Sequence, residues 1–209
     1  TTQVVFPADL PKEIRDDIEL RVKESSLLIT SRGMSDRSGF WTKFANRDIH
    51  LDVYLPKLYG VEATHASSIQ LMDSLSTQNF SVVADGASRV TGLQLSGDTL
   101  SVVASGASQV EASTSLSQQL FVLVSGASHV GLRGSSALTQ VSVDGASGCD
   151  AGSMSSRSAE VLISGASRGS IGQADSLAYS VSGASKFSYH GHPTISSQSC
   201  TGASSVKAQ

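Results

Sequence analysis

The sequence predicts an all-β fold: a single-stranded right-handed parallel β-helix, a solenoid of about eight coils of ~20 residues, with a non-repeating N-terminal cap. Three observations support this prediction. The tripeptide Gly-Ala-Ser recurs at nearly constant spacing, apolar residues alternate with polar ones on both sides of it, and no repeat contains ten residues with helical periodicity. We therefore divide the chain into residues 1–60, the cap, and residues 61–209, the β-helix.

The Gly-Ala-Ser corners set the period. Successive glycines are 20, 20, 19, 20, 18 and 19 residues apart, and an altered copy, His65-Ala66-Ser67, precedes them. Glycine can take the positive φ that a tight corner needs, and the following alanine suggests a crowded site with room for a methyl group only. The corner glycines are Gly86, Gly106, Gly126, Gly145, Gly165, Gly183 and Gly202.

The corner serines have two interpretations. Hydroxyls one strand spacing apart, about 4.8 Å, are too distant to bond one another, so we expect each serine to bond backbone groups at its own corner. The alternative is an aligned serine ladder that binds a ligand.

Strands with one buried face flank each corner. The positions four and two residues before the glycine are nearly all apolar, as in Val82 and Ala84 or Val102 and Ala104, and the position four residues after it is apolar as well, as in Val90. A further variable stretch completes each repeat. Consecutive repeats must then pair as parallel strands, and the preferred hand of parallel crossovers makes the coil right-handed.

The N-terminal segment, residues 1–60, lacks the repeat and carries most of the charge. The spacing of apolar residues in Lys12–Lys23 fits either a strand or a helix; we favour strands and keep the helix as the alternative. Ile49–Leu55 alternates as a strand does. The segment is placed to cover one open end of the solenoid, which would otherwise grow edge to edge.

Composition excludes several classes of partner. The net formal charge is −3 and no basic block is present, so nucleic acid is not a predicted partner. No stretch approaches the roughly 20 apolar residues that span a bilayer. Cys149 and Cys200 lie three coils apart, about 14 Å, beyond the ~7 Å reach of a disulfide, so both are predicted to be free, buried thiols.

Carboxylate pairs give no convincing catalytic site. Asp85 and Asp144 share a column but lie three coils apart, about 14 Å, which is too far for glycoside hydrolysis. Glu111 and Asp150 lie two coils apart, about 10 Å, a marginal distance. We interpret both pairs as solvated surface acids and predict no catalytic residue.

His190 and His192 flank Gly191 and could face the same ion from one strand, but no third ligand is evident nearby. The chain also lacks a nucleotide-binding glycine pattern that opens a helix. We therefore predict neither a metal nor a cofactor.

Two outward columns are candidate interaction surfaces. The column three residues past the glycine is polar and mildly basic; it is either a merely solvated face or, as our candidate binding hypothesis, a surface that contacts anionic sugars or a partner. The column three residues before the glycine is apolar; we expect the N-terminal segment to pack there, with a homo-oligomer contact as the alternative. The candidate binding residues are Arg89, Gln109, His129, Arg168 and Lys186, and the apolar column contains Val83, Val103, Leu123 and Leu162.

Three triplets, Asp73-Ser74-Leu75, Asp98-Thr99-Leu100 and Asp175-Ser176-Leu177, resemble the Asp-Ser/Thr-apolar acceptor of O-glycosylation in some Gram-negative envelopes. Such short patterns also arise by chance in a serine-rich chain, so we treat the triplets only as candidate modification sites, to be tested by the intact mass of native material.

The order and spacing of three features resemble a known bacterial family. These are the Gly-Ala-Ser corners, the Asp52–Pro56 segment (DVYLP) before the first coil, and Tyr189, Gly191 and Pro193 before the last corner. Together they resemble the auto-transporter adhesin head GIN domain, over most of residues 50–209 and weakly beyond. His65 departs from the pattern at the first corner.

The resemblance implies a right-handed β-helix in an exported or cell-surface protein whose signal or lipid anchor has been removed. It also implies a non-enzymatic, adhesin-like role with a glycan or an envelope protein as partner. A structural envelope scaffold and a polysaccharide-active enzyme are the alternatives, and the family offers no catalytic or binding residues to transfer.

Overall fold

The computed structural model describes residues 2–23, 25–31 and 49–209. The chain divides into two compact units, Thr1–Lys57 and Leu58–Gln209. The part of the predicted cap at residues 32–48 lies outside the described residues. We describe each unit separately.

In the described residues of the first unit there are one short helix and two small antiparallel sheets. Strand β1 (Gln3–Val5) pairs with β4 (Asp52–Tyr54), helix α1 covers Lys12–Asp17, and β2 (Ile18–Lys23) pairs with β3 (Ser26–Ser31). The expectation of strands throughout Lys12–Lys23 is therefore wrong for its first half. Straight-chain charged residues there tolerate a helix, which buries Ile14, whereas the alternating residues that follow form the strand.

The second unit is a β-solenoid of about seven turns bounded by eight corners, and the predicted parallel β-helix is confirmed. Its strands are β5 (Gly60–Ala63), β6 (Ser68–Gln70), β7 (Ser74–Ser76), β8 (Asn79–Ala84), β9 (Arg89–Ala104), β10 (Gln109–Val124), β11 (His129–Val143), β12 (Gly148–Ile163), β13 (Arg168–Val181), β14 (Lys186–Tyr189), β15 (Thr194–Cys200) and β16 (Ser205–Ala208).

The central strands are longer than the sequence pattern suggests. Each of β9 to β13 runs from one corner almost to the next, so the stretch that varies most in sequence pairs with its neighbours as well. All pairings in this sheet are parallel, and they follow the corner-based alignment on both sides of each corner, with register shifts in the variable stretch between corners. Val102 on β9 pairs with Val122 on β10, and Val122 pairs with Val141 on β11.

The interior is a narrow apolar column. Val82, Val102 and Val122 are fully buried, and so are Leu100 and Leu120, which precede two of them. Since successive side chains of a strand point to opposite faces, the residues between these positions project outward. The buried face fixes the register, because a slip of one residue would expose every apolar side chain.

The corners require glycine for two reasons. The seven corner glycines have φ values from +74° to +83°, which other residues rarely adopt. A β-carbon on Gly106 would also lie 2.5 Å from the carbonyl oxygen of Gly86. That carbonyl accepts a hydrogen bond from the N–H of Ala107 at 2.6 Å, so the corners are bonded directly to one another.

The alanines of the corners are exposed, as at Ala107 and Ala127, so the expected crowding around them is wrong. Crowding occurs instead at the glycine, where backbone meets backbone. The alanines form a low, small-residue surface along one edge of the solenoid.

The corner serines point inward. Ser108 donates to the carbonyl of Ser105 at its own corner at 2.9 Å, as expected. Ser88 and Ser108 also donate across to the preceding turn, to the carbonyls of Ala63 at 2.9 Å and Ala84 at 3.0 Å, which the expectation did not include. The expectation that stacked hydroxyls cannot bond one another is wrong at one step, since Ser108 Oγ and Ser128 Oγ lie 3.3 Å apart. Because Ser88, Ser108 and Ser128 are buried, a ligand-binding serine ladder is ruled out at these corners.

The two cysteines occupy different environments. Cys149 is buried, and its burial raises the pKa of the thiol to about 12. Cys200 is exposed, which corrects the expectation of two buried thiols. Its column is buried in earlier turns, but Cys200 lies in β15, a strand whose residues are all exposed.

Candidate functional site

The residues three past each corner form an outward column on adjacent strands. Parallel pairing places Gln109 next to both Arg89 and His129, and Arg168 next to both Gly148 and Lys186. We call this column the polar stripe; it consists of Ser68, Arg89, Gln109, His129, Gly148, Arg168, Lys186 and Ser205.

The polar stripe is not uniform along its length. Arg168 and Lys186 are exposed and lie one strand spacing apart, whereas Arg89 lies four spacings from Arg168, about 19 Å. Gln109 is half-buried and its amide donates to Glu111 Oε1 at 2.9 Å. The cations are therefore concentrated in the C-terminal half of the stripe.

A shallow groove of about 780 Å³ follows that half across five successive turns. The exposed corner alanines lie along it, and its charged or polar walls come from the stripe and from the column two residues further on. We call it the stripe groove; its charge-bearing and polar outward residues are His129, Asp150, Arg168, Ser170, Lys186, Ser188, Ser205 and Lys207.

Asp150 is held in a fixed position in the stripe groove. Its Oδ1 accepts a hydrogen bond from Ser170 Oγ at 2.6 Å and another from the N–H of Gly152 at 3.1 Å. The Ser170 bond, followed by the Gly152 bond, lowers the pKa of the Asp150 carboxyl, with smaller contributions from His129 and His190. Asp150 is thus an ionised hydrogen-bond acceptor near neutral pH.

Sequence reasoning did not single out Ser170. The sequence pattern could have identified this pair, because Ser170 and Asp150 both lie five residues past a corner glycine. They are direct register partners on β13 and β12. A serine hydroxyl next to a carboxylate on the adjacent strand is close enough to donate to it.

A gap in the polar stripe occurs at Gly148. A β-carbon there would lie 2.8 Å from His129 Nδ1, so the imidazole leans over the glycine. Gly131, in the neighbouring column, leaves a similar gap beside Glu111, whose Cγ would lie 3.8 Å from an added β-carbon. Because Gly148 and Gly131 have no side chains, neither position projects above the backbone beside Asp150.

The carboxylates examined as catalytic pairs have other partners. Asp85 accepts a hydrogen bond from Ser105 and Asp144 accepts one from Ser164, both at 2.6 Å. These serine bonds, with a backbone N–H bond from the following glycine in each case, lower the pKa of both carboxyls. Both acids therefore act as corner hydrogen-bond acceptors.

Glu111 and Asp150 lie two strands apart with Gly131 between them, a separation of about 10 Å. A general acid needs a raised pKa. Asp150 is shifted in the opposite direction, so Asp150 does not fit the role of the proton donor that glycoside hydrolysis requires.

The two histidines near Gly191 do not form a cluster of ligands. His190 is half-buried, with Nδ1 3.3 Å from the carbonyl oxygen of Ile171, whereas His192 is exposed. Over residues 2–23, 25–31 and 49–209, no group of three or more His, Cys, Asp or Glu residues is arranged to hold a metal ion.

The apolar column three residues before the corners projects outward. Leu123 and Leu162 are exposed, and Phe121, on the same face of β10 as Leu123, is 40% exposed. Val103 and Leu123 are register partners, whereas Ser142 separates Leu123 from Leu162. What covers this face, the N-terminal segment or a second copy, stays a prediction.

The three O-glycosylation triplets present their hydroxyls differently. Ser74 is exposed and donates to Gln94 Oε1 at 3.0 Å. Thr99 and Ser176 are half-buried, and Thr99 donates to Asn79 Oδ1 at 2.7 Å. Ser74 is therefore the most accessible of the three.

Within the described parts of the chain, no helix has both the length and the apolar character needed to cross a membrane.

Comparison with known proteins agrees with this fold. A crystal structure of "a putative adhesin" from Bacteroides fragilis NCTC 9343 is 18% identical, superposes with a TM-score of 0.63, and is matched over 95% of this chain and 79% of its own. At that identity the likeness concerns the fold alone. No curated protein matches the chain. Residues 10–193 match the family described as "Putative auto-transporter adhesin, head GIN domain", and since this match covers most of the sequence, the chain belongs to that family.

Proposed function

We propose that this domain is a non-enzymatic, adhesin-like module of an exported or cell-surface protein, and that it contacts a glycan through the polar stripe. The family description supports the adhesin-like and surface parts of this proposal. The observation that carries the glycan part is the register of the stripe, which places exposed Arg168 and Lys186 side by side in a groove that crosses five turns.

A rigid column of side chains suits an extended ligand. The corner-to-corner hydrogen bonds fix the spacing of successive turns, so the backbone positions that carry the stripe are preorganised. A polysaccharide that lies along the solenoid axis would meet stripe positions spaced ~4.8 Å apart, all of them polar side chains except Gly148.

Two observations favour binding over catalysis. The carboxyl pKa of Asp150 is lowered, which opposes a role as general acid, and Glu111 is hydrogen-bonded to Gln109. The stripe groove is also shallow and open, whereas catalysis depends on groups that exclude water.

The test is a glycan array probed with the wild-type domain and with the triple variant Arg89→Ala, Arg168→Ala, Lys186→Ala. We expect the wild type to bind a defined set of glycans and the variant to lose that binding. The matched control is Lys57→Ala, Arg133→Ala, Arg157→Ala, which removes three exposed cations that do not line the stripe groove. Equal binding by the two variants would contradict the proposal.

A further inference from the structure

We infer that the stripe groove binds an acidic sugar residue, with its carboxylate on Arg168 and Lys186 and a ring hydroxyl on Asp150. This inference rests on the proposed function and narrows it to one class of glycan. Four features of the groove support it: its charge, the pairing of its cations, the fixed carboxylate, and the His129 imidazole that lies over Gly148.

The charge of the groove is opposite to that of the chain. Arg168, Lys186 and Lys207 line it together with the single carboxylate of Asp150, whereas the chain as a whole has a net formal charge of −3. A local excess of cations in an acidic protein attracts anions to this face.

Arg168 and Lys186 are arranged to share one anion. They are register partners on β13 and β14, so their side chains leave the same face one strand spacing apart. The planar guanidinium of arginine matches the geometry of a carboxylate, to which it can donate two parallel hydrogen bonds, and lysine adds a compact charge.

Asp150 distinguishes a sugar from a simple anion. The Asp150 carboxylate repels anions. An anion without hydrogen-bond donors gains nothing to offset this repulsion, whereas a ligand with hydroxyl groups can donate a hydrogen bond to the carboxylate. Its Oδ1 already accepts the bonds from Ser170 and Gly152, which leaves Oδ2 to accept a bond from a ligand hydroxyl. A uronic-type sugar carries both an anionic group and hydroxyl donors.

At Gly148 the surface of the groove is formed by the His129 imidazole. Gly148 lies between His129 and Arg168 in the stripe and two residues before Asp150, and small corner alanines lie along the groove edge. A side chain at position 148 would meet the His129 imidazole, which would be displaced from the groove wall. A sugar ring can therefore rest on this imidazole only while residue 148 has no side chain.

The experiment measures binding of the domain to polygalacturonate, with its fully methyl-esterified form and dextran sulfate as reference polymers, at 0.15 M salt. We expect polygalacturonate to bind and the esterified form to bind at least about tenfold more weakly, because charge-assisted hydrogen bonds to the carboxylate are lost. The double variant Arg168→Ala, Lys186→Ala should show the same loss, and Arg133→Ala, Arg157→Ala should bind as the wild type does.

Two single variants separate specific binding from charge attraction. Asp150→Asn should weaken polygalacturonate binding if the carboxylate accepts a sugar hydroxyl, whereas simple attraction of an anion would be strengthened by removing a negative charge. Gly148→Ala should weaken binding without changing any charge. Stronger binding by Asp150→Asn, or equal binding of dextran sulfate and polygalacturonate with no effect of Gly148→Ala, would overturn the inference.

The two proposals fail in different ways. If neutral glycans bind through the stripe and polygalacturonate does not, the acidic-sugar inference is wrong and the proposed function stands. If no glycan in the array binds, the proposed function is wrong and the inference falls with it.

Discussion

Arg168 and Lys186 are register partners on the adjacent parallel strands β13 and β14, and both side chains are exposed on the same face of the solenoid. This relationship depends on the corners at Gly165 and Gly183, which are 18 residues apart and each three residues before one of these side chains, because any change in the length of the turn between them would shift one side chain relative to the other. The stability of the corners and the composition of the groove are therefore coupled, and both can be tested by substitution.

Replacing a corner glycine should strongly destabilise the solenoid. In Gly106→Ala the new β-carbon would lie 2.5 Å from the carbonyl oxygen of Gly86, at a residue with φ of +75°. We expect a loss of at least about 2 kcal/mol of unfolding free energy, from backbone strain and the disturbed corner hydrogen bond, measured by denaturant unfolding.

The matched control is Gly131→Ala. Gly131 lies outside the corners, and an added β-carbon there would meet only Glu111 Cγ at an ordinary 3.8 Å. We expect its unfolding free energy to stay within about 0.5 kcal/mol of the wild type, as for most surface changes. Equal destabilisation by the two alanines would contradict the structural role assigned to the corners.

Neighbouring leucines on opposite faces of β10 should differ sharply in their contribution to stability. Leu120 is completely buried and Leu123 is 38% exposed. Leu120→Ala should cost about 2–5 kcal/mol through lost burial and a cavity, while Leu123→Ala should cost much less. Thermal and denaturant unfolding of the two variants would check this, and a larger effect of Leu123→Ala would show that the column is covered in solution.

Lowering the pH should remove the contribution that the corner carboxylates Asp85 and Asp144 make to folding stability. Because the pKa values of Asp85 and Asp144 are below the ordinary 3.8 in the folded chain, their contribution to stability is present above pH ~3.8 and is lost as pH falls through the folded values. The double variant Ser105→Ala, Ser164→Ala removes the largest cause of both shifts. Its stability deficit relative to the wild type should therefore shrink below pH ~3.8.

Denaturant midpoints measured from pH 7 down to about 2.5 would test this pH dependence. Ser142→Ala serves as the control, since the register partners of Ser142 are Leu123 and Leu162 and not carboxylates. A deficit of Ser105→Ala, Ser164→Ala that stays constant with pH would contradict the assignment.

Only one thiol of the folded chain should react with an alkylating reagent. Cys200 is exposed, whereas Cys149 is buried and has a pKa of about 12, and the thiolate is the reactive form. At pH 8 intact mass should show one adduct in the native protein, two after unfolding, and none in native Cys200→Ser. Rapid double labelling of the native chain would disagree with the burial of Cys149.

The register of the site followed from the sequence because the corners determine it. Aligning the glycines places Arg168 beside Lys186 and Asp150 beside Ser170 without any knowledge of side-chain positions. The shape of the stripe groove was harder to predict from the sequence. It depends on the absence of a side chain at Gly148 and on the position of the His129 imidazole over that glycine. The burial of Cys200 was predicted wrongly because Cys200 lies near the end of the strand stack, where no further turn covers the apolar column.

Helix α1 escaped prediction for a different reason. The residues from Lys12 to Lys23 carry both periodicities, and a helix of six residues followed directly by a strand satisfies both in succession. Choosing a single element for the whole run could not give this result.

The most direct test of the account is equilibrium binding of the purified domain to a broad array of glycans and envelope polymers, with the length of each bound polymer measured afterwards. We predict saturable binding to a defined set of glycans with no shortening of the polymer. Absence of binding on every polymer would contradict the glycan-contact role and favour a structural scaffold, and shortening of a bound polymer would contradict the non-enzymatic role.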